Sequence, residues 1–349
     1  MTKNEFATPL DQKIGQLFLL GFAGDALTPV HPLAADIAEG NLGGVILFDR
    51  LLAEGKNSNN ISSADQITEL TASLQNLAGD KLLIAVDQEG GRVSRFKKER
   101  GFPETPEAAV LGSASDCGLT RECARQTAQM LKRAGVNFNL APVVDLNVYP
   151  ENPIIGRYGR SFSARASLVA AHAAAWIDEH RRERIACCIK HFPGHGSSRR
   201  DSHLGFVDIT DTWQEEELEP YRLLLDGGEV GAVMVGHLFH KKFDPVYPAT
   251  LSEATIRTLL RGSLNFHGLV VSDDMQMKAI TSRYGLVEGC CLALAAGVDL
   301  LIVGNNLEHD PQIFKRLKAA VLAALDRGIL TEERINEAYS AVGNFKKSL

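Results

Sequence analysis

The sequence predicts an α/β fold, a single (β/α)8 TIM-type barrel forming one catalytic domain over residues 1–349. Three observations point there. Eight short apolar runs recur along the chain, the stretches between them are long enough for crossover helices, and most runs end in a polar residue able to do chemistry.

The eight runs, in order, are Leu17–Phe22, Gly44–Phe48, Leu82–Asp87, Phe138–Asp145, Ala186–His191, Ala232–His237, Leu269–Asp273 and Leu300–Gly304. Continuous apolar runs of this length suit strands buried on both faces of a parallel sheet. Leu119–Ala134 and Ala166–His180, the latter around Trp176, carry apolar residues at three- and four-residue spacing and predict amphipathic helices. Asp211 or Thr212 is expected to cap a helix starting near Trp213, with Glu215-Glu216-Glu217 as its solvated acidic first turn. Glu54–Ser63 reads as a surface loop, and Thr331–Phe345 as a last helix packed outside the barrel. Eight βα units favour a closed barrel over an open doubly wound sheet.

Composition narrows the function. With 37 Lys and Arg against 43 Asp and Glu, the net charge of -6 supplies no field for a polyanion, so nucleic acid is not an expected partner. After the opening Met1-Thr2-Lys3-Asn4-Glu5, the first apolar run is too short, and too broken by Gly15 and Gly21, to be a secretion signal. No run approaches the roughly 18 apolar residues of a membrane span. Six cysteines, two pairs of them adjacent, read as reduced core thiols, so a cytoplasmic chain with no membrane partner is expected.

In a barrel, loops at the strand C-termini converge on one mouth. Asp87, Asp145, Lys190, His191, His237, Asp273, Asp274 and Asn305 all fall at or just beyond the ends of runs. Asp145 and Asp274 could equally cap the following helices, and His237 could be a hydrogen-bonded core histidine. The segment Lys190-His191-Phe192-Pro193-Gly194-His195-Gly196, followed by Asp201-Ser202-His203, is too crowded with polar groups for packing to explain. Its three histidines raise a metal reading, but Pro193 and Gly194 keep His191 and His195 off a common helix face.

These segments, with Val86–Val93, Leu140–Asp145, Arg160-Ser161-Phe162 and Val271–Met275, resemble glycoside hydrolase family 3, and within it the bacterial single-domain β-N-acetylglucosaminidases. The likeness covers most of the chain. It implies Asp273 as nucleophile, with Asp274 as its rival, and an Asp201–His203 dyad as the acid/base. It also implies Asp87, Arg95, Arg160, Lys190 and His191 as substrate-binding residues. The family's Gly-x-Arg-Ser-Phe is stretched here to Gly156-Arg157-Tyr158-Gly159-Arg160-Ser161-Phe162, which makes Arg157 the rival of Arg160.

The implied reaction is retaining hydrolysis of a terminal N-acetylglucosamine from a peptidoglycan fragment, a small saccharide or muropeptide, by a monomer that needs no cofactor. An imidazole near pH 6.5 can give and take a proton where most glycosidases use a second carboxyl group. Lys190 and Arg160 are expected to keep Asp273 ionised. The loop Phe192–Phe206, rich in Gly and Ser, is expected to swing His203 into place. Three alternatives stand beside this reading: a family 3 glucosidase or xylosidase, a sugar-binding protein without catalysis, and a metal-dependent hydrolase using His191, His195, His237 and Asp273.

Overall fold

The computed structural model describes residues 8–28, 30–39, 41–79, 82–114 and 116–349, so the opening Met1–Glu5 lies outside the described residues. Among the described residues ten strands form: β1 Phe18–Leu20, β2 Gly44–Leu47, β3 Leu83–Val86, β4 Phe138–Asn139, β5 Ala186–Phe192, β6 Val207–Asp208, β7 Ala232–Val235, β8 Leu238–Phe239, β9 Leu269–Ser272 and β10 Leu301–Val303. Eight of them make one parallel sheet in the order β10-β1-β2-β3-β4-β5-β7-β9, and each falls within or overlaps one of the eight apolar runs. The sheet closes on itself where Val271 bridges Leu300 and Ser272 N–H donates to the Leu300 carbonyl at 3.0 Å. The Ser272 hydroxyl accepts from Ile302 N–H at 2.9 Å, completing the seam with a side chain where strand pairing runs short. The fold is thus the expected (β/α)8 barrel.

The crossover helices bury one stripe each against the strands. Ala64–Ala78 is capped by Ser63, which accepts from Gln66 N–H, and it ends on left-handed Gly79. It buries Ile67, Leu70, Thr71 and Leu74, a three-and-four spacing that faces the barrel. The two predicted helices form as Gly118–Arg133 and Ala166–Arg182. The last, Glu332–Lys347, is capped by Thr331 and lies outside the barrel, with Phe345 against Phe138 at 4.9 Å between ring centroids.

Four local readings change. The helix near Trp213 is capped not by Asp211 or Thr212 but by Gln214 and Glu217, which exchange backbone bonds as a capping box. Glu217 is not solvated; it is 1% exposed. In the Glu54–Ser63 stretch, Asn59 and Asn60 are buried and their amides hold the Phe22 carbonyl, so this segment is partly core. All six cysteines are unpaired, but only four are buried; Cys117 and Cys123 are half-buried on a helix and its entry. Among the described residues, no helix is long and apolar enough to cross a membrane.

A small parallel pair, β6 with β8, lies outside the barrel sheet. Val207, Ile209 and Leu238 form its own apolar cluster under Trp213. It fixes the far end of the segment that leaves β5.

Candidate active site

At the C-terminal mouth of the barrel a cavity of about 200 Å³ is lined by Asp87, Arg95, Arg160, Lys190, His191, His203 and Asp273, among others. Seven of the eight residues implied by the family likeness therefore meet in one place. The eighth, Asp201, stands behind His203.

The strand ends aim these side chains. Asp87 follows β3, and Asp273 follows β9. Lys190 and His191 are consecutive in β5, where alternation would send them to opposite faces. The pairing of β5 with β7 shifts register between Ile189 and Phe192, and both side chains line the cavity.

The floor is an ion cluster that the sequence reading does not include as such. Glu89, with its side chain 5% exposed, receives Arg160 Nε at 2.7 Å and Nη2 at 2.9 Å on its two oxygens, and Lys190 Nζ at 2.7 Å. Lys190 also donates to Asp87 Oδ1 at 2.7 Å. Burial alone would push the Glu89 carboxyl up, but the two cations outweigh it and hold it well below the usual carboxylate range. Glu89 sits inside the Val86–Val93 motif, so its position was visible in the sequence although its role was not. Arg157, the rival of Arg160, points to solvent and pairs with Glu151 at 3.0 Å.

Behind the floor, Asp145 is neither a helix cap nor part of the lining. Its carboxylate holds His191 Nδ1 at 2.7 Å, His191 N–H at 3.2 Å and His195 N–H at 2.8 Å. Asp274, the rival of Asp273, does line the cavity, but it serves as scaffold: its Oδ1 accepts from Gln276 N–H and Gly304 N–H, each at 3.0 Å. Asn305 closes a turn with Asp310 rather than facing the cavity, and Asn306 lines the wall instead.

Two groups remain with chemistry to offer. The Asp273 carboxyl would be raised by burial, yet it is drawn down to about 2 by the imidazoles of His191, His237 and His203 and by the Asp274 N–H at 2.8 Å. The expectation that Lys190 and Arg160 do this is corrected: their charge is spent on Glu89 and Asp87. His203, with a half-exposed side chain, places Nδ1 2.7 Å from Asp201 Oδ1. Burial opposes its protonation, but the Asp201 hydrogen bond and the charge of Asp273 prevail and lift its pKa above the ordinary imidazole value of 6.5. One nitrogen is thus tied down, which leaves Nε2 for proton transfer.

The metal reading finds no support in the geometry. Among the described residues no three His, Cys, Asp or Glu side chains group as ligands. His191 bonds Asp145 and Arg160, His195 bonds Ser198 and Ser202, and His237 bonds Thr250 Oγ1 at 2.8 Å and the Asp274 carbonyl at 3.0 Å. His237 is a satisfied buried histidine.

The loop also divides. Phe192–Ser198 is buried and cross-bonded, and only Arg199–Gly205, His203 among them, comes out toward solvent, with Ser202 still tucked in. Any movement that seats His203 is therefore confined to the second half of the predicted segment.

Residues 9–344 match the profile of the Glycosyl hydrolase family 3 N terminal domain. A β-hexosaminidase of Tolumonas auensis is 36% identical over 270 residues, covering 76% of this chain and 76% of that protein. One from Xylella fastidiosa is 35% identical over 329 residues, covering 90% and 92%. Among solved structures, a family 3 β-N-acetylglucosaminidase from Paenibacillus sp. str. FPU-7 superposes with a TM-score of 0.88 at 35% identity, covering 98% of this chain but 63% of that one. A β-N-acetylhexosaminidase from Beutenbergia cavernae gives 0.85 at 28% identity, covering 97% and 99%.

Proposed function

The chain belongs to glycosyl hydrolase family 3, an enzyme of the β-N-acetylhexosaminidase kind, and we propose that it is a retaining exo-β-N-acetylglucosaminidase working through Asp273 and the Asp201–His203 dyad. The observation that carries the mechanism is the meeting of Asp273 and His203 in one small cavity, the first drawn down to about 2 and the second raised. A cavity of about 200 Å³ has room for one sugar residue, which favours attack on a chain end.

In the first step an Asp273 oxygen bonds to the anomeric carbon as the glycosidic bond breaks, and His203 Nε2–H protonates the departing oxygen. In the second, His203 takes a proton from water, the resulting hydroxide bonds to the anomeric carbon, and the Asp273 ester is released with retained configuration. Asp201 holds the imidazole tautomer and favours its charged form. Lys190 uses two of its three N–H groups on Asp87 and Glu89 and keeps one for a sugar hydroxyl.

The resemblance carries the proposal to its natural substrate, N-acetylglucosamine β-1,4-linked to anhydro-N-acetylmuramic acid, with or without a peptide. It also carries the picture of a cytoplasmic monomer of one catalytic domain, acting in peptidoglycan recycling. Two measurements test the mechanism together. An activated fluorosugar should leave a mass increment on the peptide holding Asp273, and Asp273→Ala should lower kcat/KM on the order of 10⁴-fold or more for every substrate. His203→Ala should lower it by about 10² to 10⁴-fold on a poor leaving group and far less on a dinitrophenyl glycoside. A label on another residue, or equal losses on both glycosides, would refute the assignment. Faster turnover of aryl β-glucosides or xylosides than of N-acetylglucosaminides would remove the acetamido specificity while leaving the mechanism standing.

A further inference from the structure

The segment that carries His203 is rooted in a turn held from two sides. On one side Glu217, 1% exposed, accepts from Gly196 N–H at 2.9 Å and Ser197 N–H at 3.3 Å on Oε2. On the other, Asn152 Nδ2 donates to the His195 carbonyl at 2.7 Å and the Gly196 carbonyl at 3.1 Å. The contact leaves no room for side chains in between. Gly194 has φ +122, and a Cβ there would lie 2.7 Å from Glu217 Cβ; at Gly196 a Cβ would lie 1.8 Å from the Leu146 carbonyl oxygen. Ser198 is fully buried, and the next residues, Arg199 and Arg200, are exposed. The chain leaves its root at that point and touches back once before β6, at buried Ser202, whose hydroxyl meets His195 Nε2 of the root at 3.3 Å and whose carbonyl accepts from Ala279 N–H at 3.2 Å; beyond β6, Trp213 Nε1 donates to the Pro193 carbonyl at 3.0 Å.

Glu217 is an expensive way to hold a turn. Among the described residues it has no ion-pair partner, and burial, with Asp145 nearby, raises its carboxyl to about 7. A buried carboxyl with no cation beside it costs more than an amide or an apolar residue of similar size. Selection for stability alone does not explain it.

We propose that Glu217 is a positioning residue for the acid/base step, fixing the root from which the His203 segment extends, although it touches neither the cavity nor the substrate. The inference rests on the assignment of His203 as acid/base. A displacement of about 1 Å at the root carries through to the imidazole, and misplacement of that size costs about 10²-fold in a positioned reaction. The nucleophile is held separately, because Asp273 follows β9, which β7 separates from β5 in the sheet.

The test compares kcat/KM for two N-acetyl-β-glucosaminides, a 4-methoxyphenyl glycoside that needs protonation and a dinitrophenyl glycoside that does not. Their ratio is independent of how much of the sample is folded. For Glu217→Ala the ratio should shift by about tenfold against the poor leaving group, and Glu217→Gln, which keeps one acceptor oxygen, should restore part of it. A fall by the same factor on both substrates, or no fall, overturns the proposal. If Glu217→Ala gives no soluble protein, the Gln variant alone decides: a wild-type ratio refutes it and an intermediate shift supports it. His203→Ala is the control. If that variant leaves the ratio unmoved, the acid/base assignment fails and the role of Glu217 falls with it; if it moves the ratio while the Glu217 variants do not, only the positioning role is lost.

Discussion

The two ends of the barrel each bury a carboxylate between two cations, and they use the arrangement differently. At the C-terminal mouth, Glu89 lies between Arg160 and Lys190. At the N-terminal end, Asp299, just before β10, accepts Arg334 Nη2 and Arg261 Nη2 at 2.6 Å each and Val270 N–H at 3.0 Å. Arg334 spends its remaining donors on the Leu294 and Val298 carbonyls and on Glu337. The bonds of that cluster run within the protein and tie the last helix to the strand ends, with Arg261 and Glu337 at its solvent edge. The mouth cluster is open on one side, because Lys190 and Asp87 both face the cavity with bonding capacity to spare. A buried ion pair is thus a clamp or a candidate binding site according to whether a cavity adjoins it, not according to its own geometry.

Removing the central carboxylate from each cluster separates the two uses and gives the larger expected effect. Glu89→Gln leaves a buried guanidinium and a buried ammonium short of a partner and should lower the unfolding free energy by about 3–5 kcal/mol in denaturant titrations; Asp299→Asn should cost less, because burial already raises the Asp299 carboxyl, Arg261 is partly exposed and Arg334 keeps Glu337. Only Glu89→Gln should also lower kcat/KM, by about 10²-fold or more, because Lys190 and Arg160 lose the group that aims them. Asp299→Asn, assayed where it is fully folded, should keep the wild-type value. Equal catalytic losses in the two variants would show that the ends are coupled and the distinction false.

The same contrast explains what the sequence could convey. Strands buried on both faces leave continuous apolar runs, so all eight barrel strands are legible, even two-residue β4 within its longer run; β6 and β8, two residues each and each with a partly or fully exposed residue, stand in no such run. The polar groups at run ends mark the mouth because barrel geometry sends strand C-termini there. What stays hidden is which charges meet. Lys190 pairs with Asp87 across 103 positions and Arg160 with Glu89 across 71, so the cations expected beside Asp273 are found elsewhere. Three consecutive Glu look alike in sequence, and Glu217 differs only in the direction its helical position gives it. The Gln214-x-x-Glu217 spacing of a capping box was the available clue.

A third carboxylate–cation pair, Asp201 with His203, sits on the exposed loop and should give the smallest effect, read as a shift in pH rather than a loss. In the proposed mechanism His203 acts first as an acid, so its protonated form is the active one, and kcat/KM should be lost as pH rises through its raised pKa. Asp201 contributes to that raise by a hydrogen bond and by its charge, while Asp273 contributes independently. Asp201→Asn should therefore move the alkaline limb of the kcat/KM profile to lower pH without abolishing activity, and leave the rate on the acid side of the limb close to wild type for a poor leaving group. An unmoved limb would mean that Asp201 orients the ring without tuning it. A limb displaced upward would contradict the electrostatic role altogether, because removing a negative charge beside an imidazole cannot favour its cation.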